Sequence, residues 1–356
     1  MKATTQSGRE ARGRDQESGH APRAPVTGGQ LMRAIVQDRY GTAAGDVLRL
    51  ARIGVPAVKD GEVLVGVRAA GVDRGTWHLM TGVPYLMRIL GFGVRGPRAA
   101  VLGRDLAGTV EAVGRDVTGL EPGDEVFGTG HGSFAEYAPA RPDTLAPKPA
   151  NIYFEQAAAV PTSAITALQA VRDRARLRPG QHVLIAGASG GVGTFAVQIA
   201  KAYGAEVTGV CSTAKMDLVR AIGADHVIDY TREDFADGRR RYDAVIDIGG
   251  NRRLAHLRRA LTPRGTLVIT GGEGGGPWLG GTGRNLRAAL VSPFVSQRLT
   301  AFIARQRHAD LMVLRDLMES GAVTPAIDRA YPLSEAPAAV GYLAEGRARG
   351  KVVLTI

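Results

Sequence analysis

The chain has 356 residues, 44% of them apolar, with 45 Lys and Arg against 34 Asp and Glu for a formal charge of +11. No run of about 18 apolar residues occurs, so no membrane-spanning helix is expected. The single cysteine, Cys211, excludes an intrachain disulfide and suits a reducing cytoplasm, the compartment expected here. The basic excess is spread along the chain, without a dense block or many aromatics. That argues against a nucleic-acid surface and leaves a positive field suited to an anionic cofactor.

Residues 1–30 are rich in Gly, Arg, Pro and Ser, lack the apolar centre of a signal peptide, and are expected to be a disordered tail. A first strand is predicted at Met32–Val36. The length that remains is enough for two cores. The most informative stretch runs from Gln181 to Gly193: a buried strand, a turn of small residues, then an amphipathic helix predicted over Thr194–Tyr203. Such a turn presents backbone N–H groups and a helix N-terminus to a pyrophosphate. Gly190 lets the backbone approach the phosphates, and Gly193 lets helix and strand pack closely. Ala188 stands where the usual fingerprint has its first glycine, and Ser189, Gly191 and Val192 complete the expected phosphate-binding turn.

Alternation continues downstream. Strands are predicted at Glu206–Val210, His226–Asp229, Tyr242–Ile248 and Gly265–Thr270, with helices at Thr213–Ile222 and Arg252–Leu261. Helices and strands in this rhythm imply an α/β fold with a doubly wound parallel sheet, a Rossmann domain over residues 158–294.

Further motifs appear in a fixed order: Ala70-Gly71-Val72-Asp73, Leu102-Gly103-Arg104-Asp105-Leu106-Ala107-Gly108, Pro122-Gly123-Asp124-Glu125-Val126 and Gly132-Ser133-Phe134-Ala135-Glu136-Tyr137. Ala157-Ala158-Ala159-Val160-Pro161, Asp328 to Leu333 and Gly350-Lys351-Val352-Val353-Leu354 complete the set. With these the chain resembles the medium-chain dehydrogenase/reductase superfamily, in its zinc-free quinone oxidoreductase-like branch, from Met32 to Ile356. The resemblance implies a GroES-like, β-rich catalytic domain formed by residues 31–157 and 295–356. Cofactor and substrate are then expected in the cleft between the two domains.

Departures from the metal-using relatives are informative. Asp73 stands where they have a cysteine ligand and Arg104 where they have a histidine; the third ligand would fall near Pro161 or Thr162. Zinc needs about four N, S or O ligands, and a guanidinium is not one of them. No metal is expected; an ion pair between Asp73 and Arg104 is expected in its place. At the end of the second Rossmann strand, Ser212, Thr213 and Lys215 replace the acid that accepts ribose hydroxyls in NAD enzymes. Hydroxyls and an ammonium suit a 2′-phosphate, so NADPH is the expected cofactor. The resemblance adds Tyr230 to that pocket, with Arg232 near in sequence. Gly249-Gly250-Asn251 and Gly271-Gly272 follow later strands and are expected at the nicotinamide.

Without a Lewis acid, hydride delivery to a quinone or an α,β-unsaturated carbonyl is easier than interconversion of unactivated alcohols, because the charge spreads over the acceptor's π-system. His78 and Tyr85 are the candidate proton donors; Trp77, Tyr85 and Phe92 are candidates for apolar cleft wall. Residues 274–305, with Pro277-Trp278, a Gly-rich turn and a helix at Asn285–Leu290, either border the acceptor site or form a homodimer contact. The expected function is a zinc-independent, NADPH-dependent reductase of a small conjugated acceptor, with no membrane partner. The alternatives are an NADP-dependent alcohol dehydrogenase or carbonyl reductase, and a non-catalytic nucleotide-binding protein.

Overall fold

A computed structural model describes residues 29–250, 252–272 and 276–356. The expected tail over residues 1–30 therefore lies almost wholly outside the described residues, as does Asn251. Strands β1 (Leu31–Val36) and β2 (Arg49–Gly54) form an antiparallel pair. Next come β3 (Val63–Val72), β4 (Asp105–Val113), β5 (Glu125–Thr129), β6 (Tyr137–Ala140) and β7 (Leu145–Pro147). Apolar residues bury β3 on both faces, which fits it for the centre of a sheet, and it pairs with both β4 and β6.

The middle of the chain supplies β8 (His182–Ala186), β9 (Glu206–Cys211), β10 (His226–Asp229), β11 (Tyr242–Asp247), β12 (Leu261–Ile269) and β13 (Arg298–Ala301). All are parallel, in the spatial order β10-β9-β8-β11-β12-β13. This is a doubly wound sheet whose order reverses beside β8, where such sheets bind dinucleotides. The last strands, β14 (Ile327–Pro332) and β15 (Lys351–Thr355), return to the first domain, β15 pairing antiparallel with β3.

The fold is thus α/β, a GroES-like β-rich domain joined to a Rossmann domain. The boundary expected at residue 294 falls too early. β13 belongs to the parallel sheet, and helix His308–Glu319 buries Leu311, Leu314 and Met318 in one core cluster with Ile185, Phe195 and Val197. β13 has four residues, of which only Leu299 is buried. So short an edge strand carries too little apolar pattern to be read from sequence.

Local boundaries also shift. The predicted helix Thr213–Ile222 is a 3₁₀ turn, Thr213–Lys215, followed by α-helix Met216–Ala221. The helix predicted at Arg252–Leu261 spans Leu254–Arg259, and β12 begins at Leu261, before the predicted Gly265.

Candidate active site

The turn after β8 has the geometry its residues demand. Gly187 has φ 90°, a left-handed conformation that favours glycine, so the residue that makes the tight turn precedes Ala188. A Cβ on Gly193 would collide with the Gly187 carbonyl oxygen, so only glycine lets helix Gly191–Ala202 lie this close to the turn. Gly190 is different: a Cβ there would meet only the Gly187 oxygen, at 3.5 Å. The space before the helix N-terminus is open on the protein side, as an approaching phosphate requires. The turn is also joined to the other domain, since Gly350 N–H donates to the Ser189 carbonyl at 2.9 Å.

Beside the turn lies a cavity of about 180 Å³. Ser189, Ser212, Lys215 and Tyr230 line it, together with Gly249, which is expected from the sequence at the nicotinamide. Thr213 does not line it. Its hydroxyl donates to Asp229, which also accepts from Thr231 N and Oγ1 at 3.0 and 2.7 Å. Those hydroxyl bonds hold the Asp229 carboxyl below the usual carboxylate range. Arg232 lies 3.7 Å from the same carboxylate.

Lys215 Nζ donates to the carbonyls of Gly346 and Ala348 at 2.9 and 2.8 Å. Burial lowers its pKa. Gly271 is not on the cavity; a Cβ there would collide with the Ile248 carbonyl, and its own carbonyl accepts from Arg284 at 3.0 Å.

Two charged cavity residues escaped the sequence reading. The Arg252 guanidinium lies 5.4 Å over the Tyr230 ring. Asp247, at the end of β11, pairs with Arg284 at 2.7 Å, and burial raises its pKa. Arg252 carried no local signal because Tyr230, the ring it covers, follows a different strand. Cys211 lines the same cavity, and burial pushes its thiol up to about 11, which makes it a poor nucleophile near neutrality.

The expected Asp73–Arg104 ion pair is not formed. Asp73 N-caps helix Arg74–Thr81, accepting from Thr76 N at 2.8 Å and Thr76 Oγ1 at 3.1 Å. An N-cap carboxylate satisfies an otherwise orphaned helix donor. The buried ion pair next to this position is instead Asp105 with Lys351, at 3.7 Å, with side chains 0% and 2% exposed. Asp105 also accepts from Thr162 N at 3.1 Å and Thr162 Oγ1 at 2.5 Å, and Lys351 donates to Ser163 Oγ at 3.1 Å. Thr162 is one of the two positions where the third metal ligand was sought. Burial, partly offset by Lys351, pushes the Asp105 carboxyl up to about 7.

Arg104 lines a second cavity, of about 350 Å³, with Leu79, Phe92, Val101, Leu102 and His131 among its neighbours. The other catalytic candidates do not line it. His78 Nδ1 lies 2.7 Å from the Val83 carbonyl, and its ring meets Trp77 edge-on at 5.2 Å. Tyr85 packs against Trp278 at 5.5 Å and under the Arg88 guanidinium at 4.6 Å. Of the three aromatic wall candidates, only Phe92 faces the cavity. Among the described residues no group of three or more His, Cys, Asp or Glu could hold a metal ion.

A glycine turn at the head of a doubly wound sheet, clasped by a β-rich domain, defines a nucleotide-dependent oxidoreductase of two domains. Residues 59–150 match the family described as alcohol dehydrogenase GroES-like domain, and residues 222–354 the family described as zinc-binding dehydrogenase. A 2-methylene-furan-3-one reductase of Solanum lycopersicum is 33% identical over 91% of this chain and 79% of its own. A chloroplastic NADPH-dependent alkenal/one oxidoreductase of Arabidopsis thaliana is 34% identical over the same shares, 91% and 79%. The solved quinone oxidoreductase of Coxiella burnetii superposes with a TM-score of 0.82 at 30% identity, covering 92% of this chain and all of its own. The chain belongs to the medium-chain dehydrogenase/reductase superfamily, in its quinone oxidoreductase-like branch.

Proposed function

We propose that the protein is a zinc-independent, NADPH-dependent reductase of quinones or α,β-unsaturated carbonyls. The observation that carries this reading is the chemistry at the vacated metal position. There the chain places a helix-capping Asp73, a guanidinium, and a threonine spent on Asp105, not a ligand set for zinc. A dihydronicotinamide supplies hydride when bound, and a conjugated acceptor is the electrophile that least needs a Lewis acid. The names of the tomato and Arabidopsis relatives, a furanone reductase and an alkenal/one oxidoreductase, support this substrate class.

The residues fit the cofactor. Ala188, Gly190, Gly191, Val192 and Gly193 form the pyrophosphate turn with its open approach, and Ser189 and Gly249 shape the cavity beyond it. Ser212 and Arg252 offer a hydroxyl and a guanidinium to a 2′-phosphate, and no carboxylate ends β9 to repel one. His78 and Tyr85 remain the candidate proton donors, although neither lines the Arg104 cavity. The test is NADPH and NADH oxidation with a quinone, an enone and a saturated ketone in parallel. Turnover of the first two with NADPH, and little of the ketone, supports the reading. Preference for the ketone, or for NADH, overturns it.

A further inference from the structure

We propose that Arg104 holds the acceptor's carbonyl oxygen and stabilises the oxyanion that forms as hydride arrives, a role that rests on the reductase reading above. The wall of its cavity is largely apolar, with Leu79, Phe92, Val101 and Leu102, while its ionisable residues, Arg98, Arg104 and His131, include no acid. An apolar conjugated molecule fits such a space with its oxygen turned to the basic end.

Arg104 is available for that oxygen. Asp73, the carboxylate expected to neutralise it, is bound to Thr76. Asp105, the next residue along the chain, turns to Thr162 and Lys351. Among the described residues no carboxylate lies within ion-pair distance of the Arg104 guanidinium. Arg104 is exposed and, among the described residues, without a carboxylate partner, so a conjugated acceptor that enters this largely apolar cavity and displaces its water meets a cation ready to take up developing negative charge.

The position also connects to the cofactor turn. Ser189 accepts from Gly350, the neighbouring Lys351 pairs with Asp105, and Arg104 directly precedes Asp105 on the way to the cavity. The guanidinium keeps its proton throughout, so it acts as a fixed donor and not as a general acid. Hydride adds to the β-carbon, the C=C electron pair moves toward the carbonyl carbon, and the oxygen gains the charge that Arg104 receives. A proton from His78, Tyr85 or water then reaches the α-carbon. In sum, enone, NADPH and one proton give saturated ketone and NADP⁺.

Arg104→Ala should lower kcat for enone and quinone by the roughly 10²- to 10³-fold typical of a lost oxyanion donor, while leaving the Kd for NADPH within about twofold. Arg104→Lys keeps a charge without the planar fork and should fall between the two; added guanidinium ion should restore part of the Arg104→Ala activity. A second readout needs no turnover. 4-Nitrophenolate, an oxyanion on an apolar ring, should bind the wild type roughly 10- to 150-fold more tightly than Arg104→Ala, the value of one charge-assisted hydrogen bond. Arg95→Ala, an exposed arginine off the cavity, should match the wild type in every assay.

Wild-type turnover that Arg104→Ala retains within about threefold, or nitrophenolate affinity that does not depend on Arg104, overturns the proposal and leaves the reductase reading standing. A wild type inert toward every conjugated acceptor overturns both.

Discussion

Lys215 reaches from the parallel-sheet domain to the carbonyl oxygens of Gly346 and Ala348, committing two of its three donors to the other domain. Arg252 has no such commitment; it lies over Tyr230 at the edge of the adenosine cavity. On the NADPH reading proposed above the two cations divide the work, Lys215 tethering the domains and Arg252 meeting the 2′-phosphate. Arg252→Ala should weaken 2′,5′-ADP by roughly 10- to 150-fold relative to 5′-AMP, read by titration calorimetry. Lys215→Met should weaken the two nucleotides alike. If instead Lys215→Met alone removes the discrimination, Lys215 is the phosphate ligand, and it exchanges its carbonyl partners when nucleotide binds.

At the scale of elements, strand β15 crosses the domain junction with Lys351, which meets Asp105 at the start of β4. Both side chains are buried, so the pair is a condition for closing the junction and not a surface embellishment. Asp105 has a native pKa raised to about 7, against 3.8 in the unfolded chain. Its contribution is fully present below 3.8 and is lost as pH rises to about 7, because over that range the unfolded state has released a proton that the native state still holds.

Lys351 limits that loss by favouring the carboxylate. Replacing Lys351 with Met should thus cost little at pH 5, where Asp105 stays protonated. At pH 8 it should cost about 1.4 kcal/mol more, one pKa unit's worth, because without its partner the buried carboxyl keeps its proton above the native value of about 7. Urea unfolding of both proteins at the two pH values measures the difference. An equal cost at both would mean that Asp105 is ionised throughout.

For the whole molecule two outcomes are expected. Purified protein should contain far less than one zinc per chain and keep its activity in chelator; loss of activity with removal of one tightly bound zinc would refute metal independence. The second concerns assembly. β13 closes one edge of the parallel sheet with no strand beyond it among the described residues, and Phe294 and Ile303, 87% and 92% exposed, flank it. An open edge with apolar residues at both ends is suited to a second copy of the chain. Light scattering should report a homodimer, and Thr300→Pro together with Phe294→Asp should shift it to monomer. A monomeric wild type would exclude this assembly. No helix among the described residues is long and apolar enough to cross a membrane.

Much of this architecture is written locally. The turn at Gly187 to Gly193 follows from a left-handed residue and from a helix that tolerates no Cβ at its approach. Strand and helix alternation follows from short apolar runs, and the absence of an acid after β9 is visible in the five residues from Ser212 to Met216. Interactions between neighbours in the chain depend on sterics and periodicity that a sequence displays directly.

What only the tertiary structure decided concerns partners far apart in the chain. Asp73 chose its own helix over Arg104, since an N-cap three residues away needs no long-range closure. Lys351 became the counter-ion of Asp105, Arg252 met Tyr230 across two strand ends, and four residues at β13 joined a sheet begun more than a hundred residues earlier. Each of these pairings is selected by how whole elements pack, and the freed guanidinium of Arg104 is the chemical consequence.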